Sequence, residues 1–108
     1  MSIRILSCAL FVAALSLANA NAATMPDANT ILIKNFDYSP MALTVAAGTT
    51  VTWRNLDGEP HTVVSIDGLF RSAALDSNES FTFKFDRPGT FKYVCTLHPK
   101  MVATITVK

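Results

Sequence analysis

Residues 89–108 read GTFKYVCTLHPKMVATITVK and contain two runs in which apolar and polar residues alternate. The apolar positions of the two runs are Phe91, Tyr93 and Cys95, then Met101, Ala103, Ile105 and Val107. Alternation of this kind, rich in aromatic and β-branched residues, is typical of half-buried strands. We therefore predict two strands joined by a short loop, with the Cys95 and Met101 side chains pointing into the core at one end of the fold.

Similar runs recur through the rest of the chain, and turn-forming pairs such as Asp57-Gly58 and Pro88-Gly89 separate them. The further predicted strands lie at 30–36, 43–45, 49–55, 61–66 and 81–85. No long window shows a sustained helical period. Seven or eight short strands in one small domain predict an all-β fold, either an antiparallel sandwich or a barrel, built around Trp53 and several phenylalanines.

The first 22 residues have the layout of a secretory signal peptide. Arg4 precedes an uncharged apolar run at 5–18, and small residues follow in the stretch ANANAA at 18–23. The run is 14 residues long, shorter than the roughly 20 residues that span a bilayer, which argues against a membrane anchor. We expect a signal peptide at 1–22, one mature domain at 23–108, and export to the periplasm.

The charge of the predicted mature domain argues against nucleic acids and anionic membrane surfaces as partners. The whole chain has nine Lys and Arg residues and eight Asp and Glu residues, and the loss of Arg4 leaves eight of each. No basic run remains that could contact a row of phosphates.

Cys95 is the single cysteine of the predicted mature domain, because Cys8 lies in the predicted signal peptide. It therefore has no internal disulfide partner, although thiols of exported proteins usually pair. Such a cysteine is a chemical liability, forms an intermolecular link, or is occupied by a ligand.

Cys95, His98 and Met101 follow one another at three-residue intervals, and His61 is the other histidine of the chain. Each of them alone has an ordinary explanation as a core or surface residue, but together they offer two imidazoles, a thiolate and a thioether. The two sulfur ligands favour copper, and two His and one Cys with a long axial Met is the arrangement of blue-copper electron-transfer sites. Zinc stays open because it also accepts Cys and His, although structural zinc sites are richer in Cys and do not use Met.

The four predicted ligands leave no open metal position of the kind that catalytic metal sites keep. The sequence also offers no paired carboxylates and no Ser-His-Asp set. We therefore predict a binding protein and not an enzyme. A metal-free, adhesion-type sandwich is a further alternative, and it would require the four residues to be grouped by chance.

The four residues lie in the stretches VTWRNLDGEPHTV at 51–63 and YxCxxHPxM at 93–101, and the stretch PGTF at 88–91 precedes the second of them. Together the three stretches resemble the cupredoxins of the amicyanin and plastocyanin-like group, over about residues 30–108. The resemblance implies an eight-strand, Greek-key β-sandwich with one type 1 copper ion that cycles between Cu(I) and Cu(II). It also implies that His61, Cys95 and His98 are the strong ligands and that Met101 is the weak axial ligand.

The function that follows is that of a soluble periplasmic carrier of single electrons, which we expect to be a monomer. A redox partner protein would dock transiently around the loop residues Pro60, Leu97, His98 and Pro99. The alternative is a protein for copper storage, delivery or resistance that uses the same ligands. Such proteins usually carry extra Met and His clusters, and here only Met25 and Met41 remain beside Met101 in the predicted mature domain.

Some positions depart from the pattern of that group. Thr62 stands where many members carry Asn, whose amide helps to tie the two ligand loops together. Leu97 and Lys100 change the loop around His98, and the charges of Lys100 and Glu59 are expected near the copper edge of the surface. We expect these departures to affect the redox potential and the choice of partner.

Overall fold

The computed structural model describes residues 28–108, which form two four-stranded sheets and no helix. None of the described residues therefore belongs to a helix that could cross a membrane. The predicted signal peptide and residues 23–27 lie outside the described part of the chain. The strands are β1 (Thr30–Lys34), β2 (Asp37–Ser39), β3 (Ala42–Val45), β4 (Thr49–Asn55), β5 (Val64–Ser65), β6 (Ser80–Phe85), β7 (Gly89–Cys95) and β8 (His98–Val107).

The strand orders are β2-β1-β4-β6 in one sheet and β3-β8-β7-β5 in the other, which confirms the predicted eight-strand β-sandwich. The chain passes from one sheet to the other at every connection except β1–β2 and β7–β8. The pairs β1–β4 and β3–β8 are parallel, whereas the other strand pairs are antiparallel. Each sheet is therefore mixed. Two strands joined by a tight hairpin must be antiparallel, whereas strands joined by longer connections can also be parallel.

Trp53 occupies the centre of the core and is fully buried between the two sheets. Its ring centroid lies 5.6 Å from that of Phe70, 5.7 Å from Phe81 and 5.5 Å from Tyr93. Aromatic pairs at such distances add about 0.5–1.5 kcal/mol each beyond the burial of their surface. The predicted alternation holds along β4, where Val51, Trp53 and Asn55 are buried and Arg54 is exposed.

The strand predicted at 61–66 is correct only at Val64–Ser65. His61 instead forms an isolated bridge with Leu75, with hydrogen bonds of 3.1 Å and 2.7 Å between their backbone groups. Pro60 has no amide hydrogen to donate to a ladder, so it does not extend a strand at this position. Residues 61–63 therefore do not belong to a strand of either sheet.

The last hairpin is tighter than the sequence predicted. Strand β8 begins at His98 and not at Met101, and Cys95 pairs directly with His98 after a register shift between Val94 and Cys95. Irregularities of this kind re-aim a side chain at the end of a strand. Only Thr96 and Leu97 lie between β7 and β8, so Cys95 and His98 are held close together.

The first predicted strand also ends early, at a two-residue turn between β1 and β2. Asn35 and Phe36 form this turn with φ angles of 55° and 57°, and Lys34 pairs with Asp37 across it. Hairpin turns with positive φ at both central residues favour Asn at the first position and Gly at the second. Asn35 fits this preference, whereas Phe36 does not.

Both tyrosines of the chain, Tyr38 and Tyr93, are buried, and burial raises the pKa of each phenol above its ordinary value of 10.0. The fold thus favours the neutral phenols, and this contribution to stability is complete below pH 10 and is lost as the pH rises above it.

We expect no tyrosinate absorbance in the folded protein as the pH passes 10. Tyrosinate absorbance should appear only together with unfolding. Titration of a tyrosine near pH 10 in the folded protein, followed by ultraviolet absorbance and circular dichroism, would contradict this.

Candidate metal centre

Three of the predicted ligands converge at one end of the sandwich. The ligand atoms of His61, Cys95 and His98 all lie within 4.8 Å of one another. The Sγ atom of Cys95 is 3.8 Å from Nδ1 of His61 and 3.7 Å from Nδ1 of His98. Sulfur and nitrogen atoms bonded to one metal ion in a trigonal plane, at about 2.3 Å and 2.0 Å, lie about 3.7 Å apart. The spacing therefore fits a single ion bound between the three side chains.

Cys95 ends β7, and its side chain is fully buried, as its position in the alternating pattern predicts. Burial alone would raise the pKa of the thiol. The amide of Thr62, which lies 3.4 Å from Sγ, and the two imidazoles outweigh burial and lower the pKa from 9.0 to about 6. At neutral pH the side chain is therefore mostly thiolate, the form that binds metals.

A carboxylate orients the His61 ring. Nε2–H of His61 donates a hydrogen bond of 2.8 Å to Oδ2 of Asp57, which leaves Nδ1 directed at Cys95. Asp57 also accepts the backbone N–H groups of Asn35 at 2.7 Å and Phe36 at 2.9 Å. Burial of Asp57 raises its pKa, but these three donors together hold the pKa below its usual value. An ionised carboxylate behind a ligand histidine fixes the ring orientation and increases the basicity of the metal-binding nitrogen.

Asn55 shapes the loop that delivers Asp57 and His61. Its fully buried side chain donates hydrogen bonds of 2.9 Å to the carbonyls of Glu59 and Leu75. Its Oδ1 atom accepts the N–H of Asp57 at 2.9 Å. The amide thus uses both its donor and acceptor groups, and it holds the loop between β4 and His61 in one shape.

Thr62 joins the two ligand loops although it replaces the Asn that was expected for this role. The backbone N–H of Thr96 donates to Oγ1 of Thr62 at 2.8 Å, and the two threonine hydroxyls are 2.9 Å apart. Together with the contact from the Thr62 amide to Cys95, these bonds connect the His61 loop to the β7–β8 turn.

Met101 lies on β8, three residues after His98, and is 3% exposed. It lines the same surface hollow as His98, so the fourth predicted ligand is at the same end of the fold. The other side chains around this hollow are Phe36, Leu97, Pro99 and Lys100. Phe36 and Leu97 are 48% and 50% exposed, which makes the surface around His98 largely apolar.

The sequence analysis missed the roles of two residues of this centre. The sequence prediction includes Asp57 only as part of a turn and of a motif. Its position four residues before His61 is a local signal from which a contact between the two side chains could have been predicted. The sequence prediction places Phe36 in a strand, whereas its ring contacts the two histidines predicted as ligands, His61 and His98. No local pattern links Phe36 to His98, because the turn that carries Phe36 connects two strands of one sheet, whereas His98 begins a strand of the other.

We expect Thr62→Ala to lower the free energy of unfolding of the metal-free protein by about 1–2 kcal/mol, because Thr96 loses its partners across the two loops. Thr62→Ser keeps the hydroxyl and is the matched control, expected to stay close to the wild type. Urea unfolding followed by tryptophan fluorescence measures both variants. Equal stability of the alanine and serine variants would show that these hydrogen bonds do not join the loops.

Comparison with known proteins agrees with this geometry. Residues 6–107 match the family described as the Cupredoxin-like domain. The chain is 30% identical to Amicyanin-alpha of Methylorubrum extorquens over 83 residues, which are 72% of this chain and 70% of that protein. It is 36% identical to the plastocyanin of Scenedesmus fuscus over 84 residues, which are 66% of this chain and 86% of that protein.

Solved structures with the same fold include a purple cupredoxin from Nitrosopumilus maritimus, with a TM-score of 0.70 and 36% identity over 73% of this chain and 98% of that one. An amicyanin structure has a TM-score of 0.71 and 28% identity over 81% of this chain and 89% of that one. The family match spans nearly the whole chain, and the sheet arrangement and donor set agree with it. The chain therefore belongs to the cupredoxin-like family, as its motifs predicted.

Proposed function

We propose that this protein is a periplasmic type 1 copper protein that carries single electrons between redox partner proteins. The observation that carries the proposal is the convergence of the Cys95 thiolate with Nδ1 of His61 and Nδ1 of His98. Relatives named amicyanin and plastocyanin support it, and one solved amicyanin structure is described as a Cu(I) form.

The proposed ligands are His61, Cys95 and His98, with Met101 as the weak axial ligand of one copper ion. Thiolate, imidazole and thioether form a donor set that suits copper in both of its oxidation states. The copper would supply the one-electron change between Cu(I) and Cu(II). The hydrogen bonds to His61 and Cys95 hold two of the donors in place before the metal binds, so little rearrangement is needed when an electron is transferred.

The chemistry of the centre supports a carrier more than an enzyme. Four protein ligands leave no open position on the metal, whereas catalytic metal sites keep one for water or substrate. His61 and Cys95 are fully buried, so a substrate molecule would not reach them. Burial of these ligands also favours retention of the ion over the rapid exchange that copper delivery would need.

The partner would dock on the apolar surface around His98, the ligand closest to solvent. Leu97 and Pro99 are exposed there, and Lys100 adds a positive charge to the hollow. Pro60, which is exposed and precedes His61, is the fourth residue of the proposed docking surface. Redox encounters bury small areas and are transient, so the protein would act as a monomer between encounters. Export by the predicted signal peptide at 1–22 would place the protein in the periplasm.

We expect the metal-free protein to bind one Cu(II) ion and to show an intense thiolate-to-copper absorption band with narrow hyperfine splitting in electron paramagnetic resonance. Cys95→Ser should abolish the band because it removes the thiolate. Met101→Leu should keep the band and change the reduction potential, and Met41→Leu on the exposed surface is its matched control. A colourless protein, or the weak spectrum of tetragonal copper, would contradict the proposal and favour zinc binding or copper delivery.

Asp57→Asn should raise the reduction potential, because the Asp57 carboxylate stabilises the more positive Cu(II) state through the His61 ring. We expect a shift of about 60 mV, which a tenfold change in relative copper affinity produces for a one-electron couple. Asp86→Asn removes the same charge from an exposed residue at the end of β6 and serves as the control. Cyclic voltammetry measures the reduction potentials of both variants and of the wild type. Equal potentials of Asp57→Asn and the wild type would show that Asp57 does not tune the centre.

A further inference from the structure

The ring of Phe36 packs against both ligand histidines. Its centroid is 5.3 Å from that of His61 and 4.9 Å from that of His98, with interplanar angles of 87° and 76°. The two imidazole centroids are themselves 4.9 Å apart. Edge-to-face contacts of this kind are favourable and have a defined geometry. Phe36 therefore closes a cluster of three rings at the exposed edge of the centre.

The backbone of Phe36 is in an unfavourable conformation for its side chain. The φ angle of 57° at this residue lies in the left-handed region, where a bulky side chain is disfavoured and glycine is preferred. Such outliers persist when the surrounding structure fixes them, and they cluster at functional sites. The presence of an aromatic ring at this position is consistent with a role for the ring itself and not for the turn.

Asp57 couples the position of Phe36 to that of His61. One carboxylate accepts the N–H groups of Asn35 and Phe36 and the Nε2–H of His61. The turn between β1 and β2 is thus attached to the ligand loop that follows β4. This attachment holds the Phe36 ring over the two imidazoles, although its side chain remains about half exposed.

The two histidines are oriented by different interactions. His61 is held by the hydrogen bond to Asp57. Within the described residues, the hydrogen-bond and ring contacts of the His98 imidazole are with Cys95, His61 and Phe36. Among these, Phe36 is the neighbour that comes from the solvent-facing side of the centre, because His61 and Cys95 are fully buried.

We propose that Phe36 is a positioning residue that restrains the His98 imidazole in its ligand orientation and covers the exposed edge of the metal centre. The inference rests on the proposed function, in which His98 is a copper ligand. Loss of the ring would leave His98 free to rotate away from Cys95, so copper would escape faster. Restraint of the ring in the metal-free protein would also favour rapid, ordered metal uptake.

The test compares Phe36→Gly, which removes the ring and relaxes the turn, with Phe36→Tyr, which keeps the ring. Nuclear magnetic resonance relaxation of the metal-free proteins, labelled with carbon-13 at histidine, measures the order of the His98 ring. We expect an ordered ring in the wild type and in the tyrosine variant, and a mobile ring in the glycine variant. A merely structural role of the turn predicts no such loss, since glycine is favoured there.

The second readout is the removal of Cu(I) by excess bicinchoninate. We expect removal about tenfold faster for Phe36→Gly than for the wild type, because two edge-to-face contacts are lost, and an unchanged rate for Phe36→Tyr. Phe36→Leu keeps an apolar side chain without the ring, and it should change both readouts in the same direction as Phe36→Gly. It therefore serves as the test if the glycine variant does not fold.

Unchanged order of the His98 ring and an unchanged Cu(I) removal rate in the glycine and leucine variants would overturn the inference. A wild-type protein without a thiolate-to-copper band would instead overturn the proposed function. In that case the measurement on the metal-free proteins still decides whether Phe36 restrains His98, so the two failures are distinguishable.

Discussion

The hydrogen-bonded junction between Thr62 and the β7–β8 turn is the contact on which the metal centre depends. The Thr62 amide points to the Cys95 sulfur at 3.4 Å, and its hydroxyl accepts the N–H of Thr96 at 2.8 Å. His61 follows a strand of one sheet, whereas Cys95 and His98 belong to the other. The donor set therefore exists only when the two sheets are packed, and metal binding is coupled to folding.

Behind this junction, buried polar groups satisfy one another and keep the ligands in place. The Tyr38 hydroxyl donates to the Thr62 carbonyl at 2.7 Å, and its ring packs edge-to-face on Tyr93. Asn55 holds the loop that carries Asp57, and Asp57 orients His61. Buried polar networks of this kind specify one arrangement when every member is paired. In the proposed electron-transfer function, the rigidity of the centre would thus come from groups other than the four proposed ligands.

Local preferences are violated close to the centre. A large aromatic residue occupies a left-handed position at Phe36, and Leu97 is half exposed beside His98. The alternating burial along β4 and β8, in contrast, agrees with the sequence prediction. Departures from local rules are expected where function requires a particular side chain. Both departures lie at the exposed edge of the centre, which is the surface on which we propose that the partner docks.

The sequence by itself determined most of the strands, their inward faces and the close spacing of three residues that we propose as ligands. Alternation is a property of neighbouring residues, so the burial of Phe91, Tyr93 and Cys95 could be predicted without knowledge of the fold. The spacing of Cys95, His98 and Met101 is likewise local. His61, the other histidine of the chain, completed the predicted donor set, and the cupredoxin motifs then implied the eight-strand Greek-key sandwich.

Only the tertiary structure decided which distant residues meet. It shortened β5, made the pairs β1–β4 and β3–β8 parallel, and brought the turn at Phe36 against two imidazoles. It also brought Asp57 into contact with that turn and made Thr62 the connection between the ligand loops. These contacts depend on which strand ends of the two sheets lie close together, and on the way the sheets pack. No periodicity within a single strand contains that information.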